Sequence, residues 1–251
     1  KVEDAGVTRY RVSLDYPEIQ PFMANSPDQA LRRELFEKDQ RKGGPENVRV
    51  LEQAIAARTE VARLLGYDSW AAYRTEVRMA GTRQAVTGFL ADLRGKVAVK
   101  AENDLEELRQ IAAARTGDGT VNIWDWRYWH NELMKTKYAV DDFEVAKYFP
   151  LEAVIAGLFE VYQTLLGVRF TDAPAAPRWH GDVRAFDIAE ADGGEPFARF
   201  YMDLFPRTNK YGHAAAFTLR RGRTLPGGDY QRPVSAIVAN FTKPSATQPS
   251  L

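Results

Sequence analysis

Phe200-Tyr201-Met202-Asp203-Leu204-Phe205-Pro206-Arg207, then Lys210-Tyr211-Gly212-His213-Ala214-Ala215-Ala216-Phe217, then Pro233-Val234-Ser235-Ala236-Ile237-Val238-Ala239-Asn240-Phe241-Thr242, form three blocks near the end of a 251-residue chain. Apolar side chains recur in them with a period near two, the pattern of strands with a buried face. Turn-forming residues separate the blocks, from Pro206 to Gly212 and from Leu225 to Asp229. Upstream, Val183, Ala185 and Phe186-Asp187-Ile188 keep the same period and are followed by the turn Asp192-Gly193-Gly194. Four strands are therefore expected.

Before about residue 168 the period is helical. Val48, Leu51, Ile55, Ala62 and Leu65 form an apolar stripe that begins after Pro45 and ends at Gly66, which suits a helix with proline in its first turn and glycine at its C-terminus. Leu90, Leu93, Val97, Ala101, Leu105, Leu108 and Ala112 are spaced by three or four and predict a second helix over about 82–115. This run is shorter than four heptads and includes Gly88 and Gly95, so it reads as one of an antiparallel pair in a bundle rather than a coiled coil. Asn122 or Asp125 can cap a helix that carries Trp126, Trp129 and Leu133, and a further helix from Leu151 to Leu166 stops at Gly167. The fold expected is mainly α with a small β-sheet (α+β), with a helical region over 1–167 and a sheet region over 168–251.

Lys plus Arg and Asp plus Glu number 34 each, so no global field draws the chain to nucleic acid or an anionic membrane. Clusters such as Arg220, Arg221 and Arg223 read as solvated turn residues. The absence of cysteine removes disulfides and thiolate chemistry and suits a reducing compartment; a cytoplasmic location is the expectation. The longest apolar stretches, such as Ala153 to Phe159, fall well short of the roughly 20 residues that span a bilayer. Lys1 reads as a processing or artificial boundary, and Asn240-Phe241-Thr242 as an accidental sequon.

A helical zinc site uses two histidines at i and i+4 with a glutamate between them. The three histidines here, His130, His180 and His213, are separated by 50 and 33 residues and give no such pair. His130 reads as a helix-surface or packing residue, and His180 as a hydrogen-bonding group at a corner. His213 precedes an apolar strand and is a candidate to face a site. Neither a glycine-rich phosphate loop nor a nucleophile elbow is present. The tryptophans at 124, 126 and 129 read as buried packing rather than as a stacking platform for bases.

The three blocks at the chain's end resemble the small sheet that precedes the zinc-binding helix in the thimet oligopeptidase family of metallopeptidases. Ile123-Trp124-Asp125-Trp126-Arg127-Tyr128-Trp129, Lys137-Tyr138-Ala139-Val140-Asp141-Asp142 and Tyr148-Phe149-Pro150-Leu151 resemble a run of the oligopeptidase A and peptidyl-dipeptidase branch. Ala62-Arg63-Leu64-Leu65-Gly66-Tyr67 and Trp179-His180-Gly181-Asp182-Val183 fit the same family. Together these marks run from about residue 10 to the end of the chain.

The resemblance implies the middle section of a longer zinc oligopeptidase that hydrolyses short peptides inside a channel, with this chain's helices as one wall. In the family pattern the His-Glu-x-x-His helix and the third zinc ligand follow the position of Leu251. It thus implies no catalytic residue and no metal ligand in this chain, zinc only in the full-length parent, and a fragment inactive alone. The strand His213, Ala214, Ala215, Ala216, Phe217 would be the sheet edge that pairs with peptide through main-chain hydrogen bonds, its small residues admitting a close backbone. The alternative for the alanines is packing beneath a helix; Asn240 would either order the following turn or, the preferred reading, cap a strand. The rival function is a non-catalytic helical module binding peptide or protein along the same edge, and nucleic-acid binding ranks third. An exposed edge also offers a route to self-association.

Overall fold

The computed structural model describes residues 2–4, 7–244 and 250. Its elements run β1 (Val2–Asp4), β2 (Val7–Arg9), α1 (Tyr16–Asn25), α2 (Gln29–Gln40), α3 (Gly44–Leu64), α4 (Trp70–Glu76), α5 (Arg83–Thr116), α6 (Trp126–Lys137), α7 (Asp142–Ala146) and α8 (Leu151–Leu166), followed by β3 (Val168–Asp172), β4 (Arg184–Glu190), β5 (Ala198–Asp203), β6 (Ala215–Arg220), β7 (Arg223–Thr224), β8 (Tyr230–Gln231) and β9 (Val234–Val238). This is the expected mainly helical chain with a small sheet. By compactness it divides into two units, Met23–Leu133 and Lys1–Phe22 with Met134–Leu251.

Within Met23–Leu133 the helices start at side-chain caps. Asp28, Ser69 and Thr82 accept hydrogen bonds from the amides of Leu31, Ala72 and Ala85 at the heads of α2, α4 and α5, which satisfies donors that the helix itself leaves unpaired. The apolar core joins Leu108 and Ala112 of α5 to Trp129 and Leu133 of α6. Beside it lies a buried ion pair: Arg32 Nη2 of α2 donates to Asp125 Oδ1 at 2.6 Å, with side-chain exposures of 2% and 0%. Burial pushes the Asp125 carboxyl up, but bonds from Gln29, Arg32 and Asn122 outweigh it and hold the group below its ordinary value.

The two long stripes are largely open. Val48, Leu51, Ile55, Leu65, Leu90, Leu93 and Val97 are each between 42% and 58% exposed, whereas Ala62, Leu108 and Ala112 are buried. The helices begin and end close to the expected positions, and α4 contacts both α3 and α5. Periodicity identifies a face; it does not supply a partner for it.

In the other unit a five-stranded sheet has the order β3-β4-β5-β9-β6. All neighbours are antiparallel except β5 and β9, which run parallel from Arg199↔Val234 to Asp203↔Val238. One face carries Phe186, Met202, Leu204 and Ala239 against Leu151 and Ile155 of α8; the other carries Ala185, Tyr201 and Ala236 with Ala176 and Val183. The alternation of Ala185 with Phe186 and of Tyr201 with Met202 is the period of two that marked these strands in the sequence.

Five strands replace the expected four in this sheet. The missed one, β3, follows Gly167 directly and pairs along β4 from Val168↔Glu190 to Asp172↔Phe186. Its residues are half-buried or exposed, so its apolar signal is weak. The short pairs β1–β2 and β7–β8 were also unforeseen.

Candidate functional site

The site is built where β5 and β9 end side by side. Asp203 is the last residue of β5 and its side chain is 4% exposed. Its carboxylate accepts from Arg207 Nη1 and Nη2 at 2.7 and 2.8 Å and from Trp179 Nε1 at 2.8 Å, with Lys210 Nζ at 3.0 Å. Burial pushes the Asp203 carboxyl up, yet the bonds from Arg207, Trp179 and Lys210 overcome it and hold the group far below the ordinary carboxylate range.

Lys210 turns the same cluster into a clamp. Its buried ammonium donates to the carbonyls of Asp203, Phe205 and Ala239 at 2.9, 2.7 and 2.5 Å. Burial draws its pKa below the usual lysine value, while the Asp203 carboxylate opposes that fall. Three carbonyls from two strand ends thus converge on one cation. The amides of Ala239 and Phe241 also donate to the carbonyls of Asp203 and Leu204, at 2.9 and 2.8 Å. Asn240 Nδ2 reaches across to the Tyr211 carbonyl at 3.0 Å. It caps no strand end; it holds the loop that leads into β6.

β6 leaves this clamp as an edge strand. It pairs with β9 from Ala215↔Val238 to Arg220↔Val234, with an irregularity between Thr218 and Arg220. No described strand lies on its other side. Ala216 to Arg220 are exposed and Ala215 is half-buried, so the alanines are not packed beneath a helix. His213 and Ala214 precede the strand and are exposed. The Tyr16 and His213 rings lie 4.2 Å apart, and Tyr211 stands 6.0 Å from His213 and 5.8 Å from Phe217. Next to the loop, a polar cleft of about 500 Å³ is lined by Arg11, Asp15, Glu18, Arg207, Lys210 and Asn240, among others.

A model of peptidase family M3 matches residues 22–251. The chain belongs to this peptidase family. It is 34% identical to the thimet-like oligopeptidase of Dictyostelium discoideum over 96% of its own length and 37% of that protein's. Against saccharolysin of Saccharomyces cerevisiae the identity is also 34%, over 99% of this chain and 36% of the relative. Oligopeptidase A of Escherichia coli is 31% identical over 96% of this chain and 37% of that protein. The chain therefore spans a little over a third of the length of these relatives.

The structure brings His213, Ala214, Ala215, Ala216 and Phe217 together at the mouth and edge of one strand. It does not gather the histidines. His130 is exposed on α6, and His180 accepts at Nδ1 from the amide of Asp182 at 3.1 Å, the corner role expected of it. Among the described residues no group of three or more His, Asp or Glu is placed to hold a metal ion, so zinc has no fitting ligand set in them. Among the tryptophans Trp129 is buried and Trp124 half-buried, but Trp126 is 41% exposed with the Arg127 guanidinium over its ring. The Asp203 cluster was missed in the sequence. Its signal is a lone carboxylate inside an apolar strand, with cations four and seven residues downstream. No helix of the described residues is long and apolar enough to cross a membrane.

Proposed function

We propose that this chain is a section of a zinc-dependent oligopeptidase that hydrolyses short peptides, and that its β6 edge lays the substrate out as an added strand. The observation that carries this reading is the geometry of β6 in a chain of peptidase family M3: terminal among the described strands of its sheet, exposed from Ala216 to Arg220 and held at its head by Lys210 and Asn240. Main-chain pairing suits an enzyme that accepts many sequences, since the backbone is common to all of them. The small side chains at Ala214, Ala215 and Ala216 leave the peptide backbone room to approach. The helical region over 1–167 forms one wall of the channel and limits substrate length, and the sheet region over 168–251 leads to the zinc-bearing part of the parent. The hydrolytic residues lie outside this chain, which is inactive alone and works in the cytoplasm.

The test compares this chain with the longer polypeptide that bears it, using a quenched fluorescent peptide of about ten residues with and without a metal chelator. Chelator-sensitive cleavage by the longer polypeptide and none by this chain is the expected result. Cleavage by this chain with stoichiometric zinc would overturn it. Peptide binding without cleavage by the longer polypeptide would point instead to the non-catalytic binding module.

A further inference from the structure

The alternation of β6 gives its two faces different characters. Ala216 and Thr218 share one face, and Ala215 and Phe217 the other. Next to the second face, Tyr211 bridges Phe217 and His213, which precedes the strand, through ring contacts at 5.8 and 6.0 Å. Tyr16 extends the row by its 4.2 Å contact with His213. Every ring in the row is exposed: Tyr16 44%, Tyr211 52% and Phe217 41%, and His213 as well. Water-facing aromatics gathered on one patch mark a recognition surface more than scattered apolar residues do.

We propose that Tyr211, His213 and Phe217, extended by Tyr16, form a side-chain subsite that selects aromatic residues at alternate positions of a peptide lying along β6. This rests on the edge-strand reading above and names the substrate chemistry that reading leaves open. An added strand sits about 4.7–4.9 Å from β6 and sends every second side chain to the aromatic face. Residues two apart along it are about 6.6–6.8 Å apart, comparable with the spacing of the rings. A peptide side chain on that face therefore meets the paired Phe217 and Tyr211 rings, and cross-strand aromatic pairs are among the favourable ones in sheets. The occupant is an extended peptide because the neighbouring strand edge offers unpaired main-chain groups that only an extended backbone satisfies in series.

The test measures binding of labelled, end-blocked octapeptides to the longer polypeptide by fluorescence anisotropy, with a chelator present to prevent turnover. One set replaces alanine by phenylalanine at each position in turn; a second set N-methylates successive backbone amides. The expected result is about fivefold tighter binding of phenylalanine at positions two apart. Phe217→Ala and Tyr211→Ala each bring the phenylalanine-to-alanine ratio at those positions to about one, and thermal melting confirms that both variants fold. If N-methylation weakens binding while the phenylalanine scan is flat, or the ratio survives both substitutions, the subsite is overturned and the edge reading stands. If N-methylation changes nothing, the edge reading fails and the subsite with it.

Discussion

Asp203 shows how one residue organises the site and how pH reports on it. Its folded carboxyl is held below its ordinary value, so the stability it contributes is complete above the unfolded carboxylate pKa of about 3.9 and is lost as pH falls below that. Replacing it by asparagine leaves Arg207 and the buried Lys210 without their counter-charge. Asp203→Asn is expected to lower the unfolding free energy by about 3 kcal/mol at pH 7. Urea unfolding at pH 7 and near pH 2 checks the sign: the gap between wild type and variant narrows in acid. A gap that is constant with pH would show that the charge is not what stabilises the loop. The sequence exposed the carboxylate in Phe200-Tyr201-Met202-Asp203, but not its partners. Trp179 lies 24 residues upstream and meets it only because β4 and β5 pair.

Element ends were legible where a local cause set them. Gly167 was expected to stop α8, and it does so at φ +64°, with its amide donating to the Gln163 carbonyl. Its own carbonyl accepts from Ala191 at 2.8 Å, tying the α8–β3 corner to the end of β4. Gly167→Ala places a Cβ in a left-handed conformation and should cost about 1 kcal/mol, read as a lower melting temperature by circular dichroism. An unchanged melting temperature would mean that the corner relaxes without strain. Strand order was not legible. β9 inserts between β5 and β6 and so puts β6 at the edge, a consequence of long-range pairing that a period of two does not encode. β3 escaped notice for the related reason that an edge strand with mostly exposed residues has little apolar contrast.

Over the whole chain, zero formal net charge accompanies apolar helix faces and an open strand edge. Each of these favours association of the isolated chain. Sedimentation velocity at rising concentration is expected to show reversible self-association. Thr218→Lys, which puts a charge on the exposed edge strand, is expected to reduce it several-fold. Equal association of the variant would assign the contact to the apolar faces of α3 and α5 instead of β6.

The sequence by itself determined the element types, several of their ends and the family resemblance, because periodicity, glycine stops and capping side chains act within a few residues along the chain. It also placed His213 to Phe217 at the head of a strand next to a candidate site. Tertiary structure supplied the insertion of β9 that leaves β6 at the edge the resemblance implied, and it alone decided that Lys210 collects carbonyls from the ends of β5 and β9, and that Tyr16 meets His213 across almost two hundred residues. Those facts depend on which distant segments pair and on the burial that makes one cation or one ring contact matter, and neither is written in the local pattern.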